Sequence, residues 1–513
     1  MEKIKAKEIL EATGGRLIQG NENTCFSSIS TDTRTLKRGD LFVALKGKNF
    51  NAHDFITQAV KKGAKGIIKS SKLKAQSSKL KTCKNLVVIE VRDTLRALQD
   101  AANFYRRKFN IPLIAVSGSN GKTTTKEMLW NILSRRAPTL KNKGNYNNEV
   151  GVPLTLFELK KCYKFAVLEL GTNAPGEIKR LAEIAEPTVG IVTNVSLAHT
   201  EGLSDINGVA KEKLSLFTGL RKGGIAILNN DDKILRKALP GLKKQGLLRI
   251  TCGVINRLED CRIKDWSPLR RWRTSPISSG GKIKKKPDVC ATEIDDLKEK
   301  GMKFTMRLPG RRNAESRKQS IALRIPLAGM HNVYNALAAA AAARALGVSS
   351  RIIKDGLENI KTLPMRMEIK KLRGTVIIND AYNANPHSVE EAVSIIEKWV
   401  LPSGRKILIL GDMLELGRWS VAMHEKLAGV AMKRGVDVLF TLGKMAGITA
   451  RHFKKKGGAA FIYNNRDKIA ESVLKQMRKG DLILIKGSRA MKMEEVAEKI
   501  ESRIQNVECS KKK

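Results

Sequence analysis

The run Ile111-Pro112-Leu113-Ile114-Ala115-Val116-Ser117-Gly118-Ser119-Asn120-Gly121-Lys122-Thr123-Thr124 decides the fold. Residues 111–116 are a continuous apolar run, the pattern of a strand buried on both faces of a parallel sheet. A glycine turn follows, and a helix opens at Lys122. Backbone N–H groups of such a turn, with the helix N-terminus behind them, form a cradle for phosphates. In that reading Gly118, Ser119, Asn120, Gly121 and Thr124 build the cradle. Lys122 reaches the β- and γ-phosphates of a nucleotide, and the Thr123 hydroxyl ligates Mg²⁺. The spacing departs from G-x-x-x-x-G-K-[ST], because Val116 stands where the first glycine belongs. Gly118 is the first glycine, so the loop is tighter.

Outward from this loop, strand-like and helix-like segments alternate. A helix is expected over 93–108, then apolar runs at 165–170, 189–192 and 225–228, with helical stretches between them. That alternation predicts an open parallel α/β sheet. From Gly329 the pattern restarts with a small-residue helix, 336–343. Five apolar runs follow, at 375–378, 406–410, 437–442, 459–463 and 481–485, separated by helices such as 389–399, 423–434 and 468–477. This predicts a second, Rossmann-like α/β domain. Before residue 92, strand candidates at 40–45, 66–68 and 86–91 predict a small α/β domain, with an exposed Lys/Ser-rich loop over 69–84. The expected division is therefore 1–92, 93–328 and 329–513. Residues 256–286, with Trp266, Trp272 and Lys284-Lys285-Lys286, show no periodicity and read as a surface insertion. Residues 311–320 read as a shorter one.

The 513 residues carry 96 Lys/Arg against 50 Asp/Glu, a net charge of +46. Such an excess invites nucleic acid or an anionic membrane surface as partner. Only 5% of residues are aromatic, however, and no basic stripe interleaved with aromatics is seen. The insertion holds ten Lys/Arg and three Asp/Glu, a net of +7, and the rest of the excess is spread over all three domains. No nucleic-acid partner is expected. The N-terminus lacks the pattern of a secretory signal, and no apolar run approaches a membrane span. Seven scattered cysteines without a C-x-x-C pair argue against a disulfide framework or zinc site and for reduced thiols in the cytoplasm.

In open parallel sheets, ligands bind beyond the C-terminal strand ends. Glu169, next to last in its apolar run, is either a metal ligand or a salt-bridge partner there. His199 follows the run 189–192 by a short loop on the same sheet edge. Lys213, on a helix expected over 205–217, is by itself a solvated side chain.

Taken together, these pieces resemble the Mur ligase family. The resemblance rests on 118–124, Asn145-Tyr146-Asn147-Asn148-Glu149-Val150-Gly151-Val152-Pro153, Glu169-Leu170-Gly171-Thr172-Asn173 and 194–202. It continues through 211–217, His331-Asn332-Val333-Tyr334-Asn335, 379–386, 411–417 and 485–493. Asp380-Ala381-Tyr382-Asn383-Ala384-Asn385-Pro386 and Gly411-Asp412-Met413-Leu414-Glu415-Leu416-Gly417 point to the branch that joins D-alanyl-D-alanine to UDP-N-acetylmuramoyl-tripeptide. The resemblance implies an ATP-dependent, monomeric peptidoglycan-precursor ligase with two Mg²⁺ ions. It also implies that Lys213 is carbamylated, and so partly buried with a depressed pKa. Glu169, His199 and Lys213 match metal ligands. Asn332 and Asn335 match positions near the base, and Arg366 and Asp380 match residues that reach the γ-phosphate and ribose. Thr31, Asp32 and Arg34 resemble the segment that meets the UDP-sugar. Asn145, Asn148, Tyr382, Asn383 and Asn385 are further substrate candidates. The alternatives are the third-residue ligase of the family, a folylpolyglutamate synthase, or a P-loop ATPase stimulated by nucleic acid.

Overall fold

The computed structural model describes residues 1–47, 50–71, 85–255, 287–309, 318–399 and 403–510. Three principal sheets follow one another along the chain. The first has the order Arg16–Gln19, Val87–Val91, Gly66–Ser70, Leu41–Val43, Ile29–Ser30, with only the first pair antiparallel. The third has the order Glu368–Leu372, Thr375–Asn379, Leu482–Lys486, Lys406–Gly411, Val438–Leu442, Ala459–Tyr463, again antiparallel only at its first pair.

The run quoted above becomes Leu113–Ser117 in the nine-stranded second sheet, and all five of its residues are buried. It lies between Phe165–Glu169 and Val189–Val192, parallel to both. Thr139–Lys141 closes one side, while Ile225–Asn229 and Leu248–Val254 extend the other. The crossover from the central strand runs to Thr139–Lys141 on one side and that from Val189–Val192 to Ile225–Asn229 on the other, which opens a crevice at their C-terminal edge. The register sets Glu169 level with Val116 and Val192 level with Ser117. The phosphate loop, Glu169 and the loop after Val192 therefore emerge side by side.

The second sheet is not wholly parallel, as the sequence pattern suggested. Val289–Asp296, Met302–Pro309 and Lys318–Ile325 form an antiparallel extension. In Met302–Pro309 the buried residues Met302, Phe304, Met306 and Leu308 alternate with more exposed ones, the period of a half-buried strand. The third sheet gains Glu368–Leu372, an edge strand too polar to form an apolar run.

Boundaries shift for equally local reasons. Lys69 and Ser70, expected in an exposed loop, end a buried strand, with Lys69 Nζ 2.7 Å from Glu90 Oε2. Residues 318–320 are paired in a strand rather than inserted. The insertion 256–286 lies outside the described residues. Helices Met330–Ala345 and Ser350–Glu358 pack on Lys122–Ser134 and share the core of the second sheet. The chain thus passes to the third sheet only after Glu358, beyond the expected division at 328/329. Cys25, Cys162 and Cys252 are free thiols. Cys290 is disulfide-bonded, against the expectation of reduced thiols throughout. No helix among the described residues is long and apolar enough to cross a membrane.

Arg106, at the end of helix Thr94–Arg107, is fully buried. Its guanidinium donates to the carbonyls of Ala185 (3.1 Å), Phe109 (2.6 Å) and Ile111 (3.2 Å). Burial, helped by the Arg221 charge, lowers its pKa to about 10, so it stays protonated at neutral pH. It pins the start of the central strand to the neighbouring helix end. Arg106→Met leaves three carbonyls, two of them buried, without this donor and should destabilise the protein by about 3 kcal/mol. The effect is measurable as a lower calorimetric unfolding midpoint.

Candidate active site

The phosphate loop keeps its shape through two glycines and a latch. Gly118 has φ +140° and Gly121 φ +78°. A Cβ on Gly121 would overlap Asn335 Oδ1, and one on Gly118 would overlap Thr193 Oγ1. The latch comes from the loop after Val189–Val192. Asn194 accepts the Ser119 N–H on its carbonyl and the Asn120 N–H on its side chain, both at 3.0 Å. Ser119 Oγ donates to the Ser196 carbonyl (3.0 Å) and accepts the Ser196 N–H (2.9 Å). With left-handed Gly121 as its N-cap, the helix Lys122–Ser134 starts at the lysine.

Three expected residues converge on one oxygen. Thr123 Oγ1 donates to Glu169 Oε2 (2.8 Å) and accepts from Arg366 Nη2 (2.8 Å). Glu169 is held on every side. Asn142 accepts its N–H (2.9 Å) and donates to its carbonyl (3.0 Å), while Asn147 Nδ2 donates to Oε1 (2.9 Å). Lys126 Nζ lies 4.0 Å from Oε2 and donates to the Asn142 carbonyl (3.0 Å). Lys122 Nζ rests on the carbonyls of Gly118 (2.9 Å) and Ser119 (3.2 Å). Burial pushes its pKa down; the Glu169 charge opposes that and the Arg366 charge adds to it.

Lys213 lies on helix Ile206–Leu214 with no exposed surface, and its Nζ has no hydrogen-bond partner. Burial first, and the Lys122 charge second, lower its pKa well below the lysine range. The adjacent Glu212 is otherwise engaged: it accepts the N–H groups of Gly176 and Ile178, both at 2.7 Å, at the start of helix Glu177–Ala185. His199 sits in the left-handed conformation (φ +55°) beyond Val189–Val192. Its Nδ1 lies 2.5 Å from Glu415 Oε2, and this contact holds the Glu415 carboxyl below its usual pKa.

The third sheet closes over the loop. Asn385, N-cap of helix Pro386–Glu397, donates through Nδ2 to Asn120 Oδ1 (2.7 Å). Asp380 pairs with buried Lys486 at 2.5 Å. Thr125 Oγ1 donates to Asn335 Oδ1 (3.2 Å), and Asn335 to Asn332 Oδ1 (3.1 Å). Between the sheets lies a cleft of about 720 Å³, lined by most of the residues expected from the sequence. These include Asn145, Asn148, Glu169, His199, Tyr382 and Asn383. Lys213 lies beneath this surface. Thr31, Asp32 and Arg34 follow the edge strand Ile29–Ser30 of the first sheet and do not line the cleft. Asp32 there binds the Arg34 guanidinium, with Nη2 to Oδ2 at 2.7 Å.

Lys126, Asn142, Asn147, Glu415 and Lys486 escaped the sequence reading as site residues. Asn147 and Glu415 stood inside quoted motifs without a role. Lys486 likewise stood inside the quoted segment 485–493; Lys126, one helical turn after Lys122, offered the only periodic signal, and Asn142 offered none.

Three family models match in chain order: the "Mur ligase family, catalytic domain" over 26–106, the "Mur ligase middle domain" over 116–343 and the "Mur ligase, glutamate ligase domain" over 365–489. The UDP-N-acetylmuramoyl-tripeptide–D-alanyl-D-alanine ligase of Bacillus subtilis strain 168 is 34% identical over 502 residues, covering 97% of this chain and 98% of that protein. The chain belongs to the Mur ligase family. A crystal structure of MurF from Acinetobacter baumannii superposes with a TM-score of 0.82 at 29% identity, covering 98% of this chain and 99% of that one. MurF ligase from Thermotoga maritima in complex with ADP gives 0.74 at 25% identity, covering 93% and 98%. As a Mur ligase the chain is an ATP-dependent ligase, which fits a phosphate loop under a closing third sheet.

Gly121→Ala combines a positive φ with a blocked Cβ position. It should weaken ATP binding by about 1–3 kcal/mol, roughly 5- to 150-fold, in a calorimetric titration, while far-ultraviolet circular dichroism is unchanged.

Proposed function

We propose that this Mur ligase joins D-alanyl-D-alanine to UDP-N-acetylmuramoyl-tripeptide with cleavage of ATP to ADP and phosphate, as a cytoplasmic monomer without a nucleic-acid partner. The observation that carries the reading is the meeting of Thr123, Glu169 and Arg366 at the phosphate loop, beside the cleft-lining segment Tyr382-Asn383-Ala384-Asn385. The tripeptide's terminal carboxylate attacks the γ-phosphorus of ATP, ADP leaves, and an acyl phosphate forms. The dipeptide amine then attacks its carbonyl carbon, loses a proton, and expels inorganic phosphate. No covalent protein nucleophile is needed.

Phosphoryl transfer depends on in-line positioning and on neutralising charge spread over the phosphoryl oxygens. Lys122 and Arg366 supply fixed positive charge from the two sides of the cleft. The third sheet, held to the phosphate loop through Asn385 and Arg366, would limit the access of water, which hydrolyses an acyl phosphate. The donor set fits Mg²⁺: a threonine hydroxyl next to a carboxylate, and a buried lysine nitrogen with no hydrogen-bond partner. Thr123 and Glu169 would hold one ion, His199 and carbamylated Lys213 the other, and when bound these ions neutralise phosphoryl charge. Burial lowers the Lys213 pKa and so favours the neutral amine, and a neutral amine is what adds to CO₂. Thr31, Asp32 and Arg34, away from the cleft, suit the distal UDP-sugar of a long substrate.

Phosphate release from ATP, Mg²⁺ and UDP-N-acetylmuramoyl-tripeptide should depend on D-alanyl-D-alanine. A folded protein that releases none in the complete mixture refutes the reading, and stimulation by DNA or RNA instead supports the ATPase alternative. Carbamylation has its own test. Activity should fall in CO₂-depleted buffer and return with bicarbonate. Lys213→Met should lose about 10²–10³-fold in kcat and respond to neither.

A further inference from the structure

Tyr382 stands in the segment expected to meet the incoming dipeptide, yet what it touches is Arg366. The guanidinium carbon of Arg366 lies 3.9 Å from the centroid of the Tyr382 ring. At that distance the electron-rich ring face attracts the cation, and the planar group can stack on it. Through Nη2 the same guanidinium reaches Thr123 Oγ1 at 2.8 Å. Ring, guanidinium and phosphate loop thus form one series of contacts between two sheets.

Arg366 does not hold this position unaided. Met365 and Met367 on either side have φ of +57° and +50°, a conformation that non-glycine residues keep only where the surroundings enforce it. The enforcing groups come from the segment that carries Tyr382. The Tyr382 N–H donates to the Met365 carbonyl (3.1 Å), and Asp380 Oδ1 accepts the Met367 N–H (3.1 Å). The Arg489 guanidinium also lies over the Tyr382 ring, 5.9 Å from its centroid, and reaches Met365 Sδ (3.3 Å). The ring therefore attracts two cations that repel each other.

We infer that Tyr382 is a positioning residue for phosphoryl transfer, acting through Arg366, rather than a contact for the dipeptide. Its ring holds the guanidinium over the end of the cradle where the terminal phosphate of ATP lies. The inference rests on the proposed ligase reading for its kinetic arm only.

The test compares Tyr382→Leu and Tyr382→Gln, which lack a ring, with Tyr382→Phe, which keeps one. Without peptide substrates, calorimetry should show ATP bound about tenfold more weakly by the ringless variants, ADP affinity unchanged, and both affinities of the Phe variant within about twofold of the parent. In turnover, the ringless variants should lose kcat with an unchanged KM for D-alanyl-D-alanine. A raised dipeptide KM with unchanged ATP affinity overturns the inference, as does a Phe variant as impaired as the ringless ones. Two ringless side chains keep the comparison available if one of them misfolds. The binding arm uses ATP and ADP alone, so absent turnover in the parent would refute the ligase reading without touching this one.

Discussion

One hydroxyl oxygen, Thr123 Oγ1, joins the catalytic elements of two sheets. It binds a carboxylate from the strand next to the phosphate loop and a guanidinium from the segment that leads into the third sheet. The bonding elsewhere explains why a polar atom can take this part. The first and second sheets share one continuous apolar core, which includes Ile4, Ile89, Leu98, Leu113 and Leu228. Among the described residues, the core clusters of the third sheet contain no residue from the other two. The third sheet meets the second through polar groups: Asn385 with Asn120, Glu415 with His199, Arg366 with Thr123, and Thr200 Oγ1 with the Leu416 carbonyl at 3.0 Å. Such contacts can exchange with water, whereas an apolar core cannot open cheaply. Opening the cleft would therefore cost least between the second and third sheets, and the groups that join them are those that line it.

What the sequence disclosed follows the same physics. Strands buried on both faces must be apolar throughout, so Leu113–Ser117, Val189–Val192 and Val438–Leu442 appeared close to their final bounds. Strands with one face covered carry only alternation, and the antiparallel extension of the second sheet went unread. Glu368–Leu372 has neither signal. In the site, Lys122 and Thr123 are dictated by a contiguous motif. Glu169 is a carboxylate in an apolar run and so had to be paired or bound. Lys213 had no local signal at all, since a lysine on a helix is ordinarily solvated, and only the family resemblance singled it out. Asn142 illustrates the limit. Its importance lies in two hydrogen bonds to the backbone of Glu169, 27 residues away, and no pattern near residue 142 encodes that contact.

The net charge of +46 looks different at the scale of the site. The cleft is lined by four cations, Lys122, Arg366, Lys486 and Arg489, and six carboxylates, Glu149, Glu169, Glu177, Asp380, Glu391 and Glu415. With histidines neutral, that is a net of −2 in a chain whose every large region is basic. A polyphosphate is drawn towards the molecule by the wider field, but screening confines that attraction to about 10 Å at 0.1 M salt. Inside the cleft the balance is unfavourable unless further positive charge arrives with the nucleotide. Divalent cations would be one source, since they could bind the same carboxylates that would otherwise repel the phosphates. The excess of basic residues and the acidic balance of the cleft are thus separate properties. Composition reports the first, and only the geometry of the cleft exposes the second.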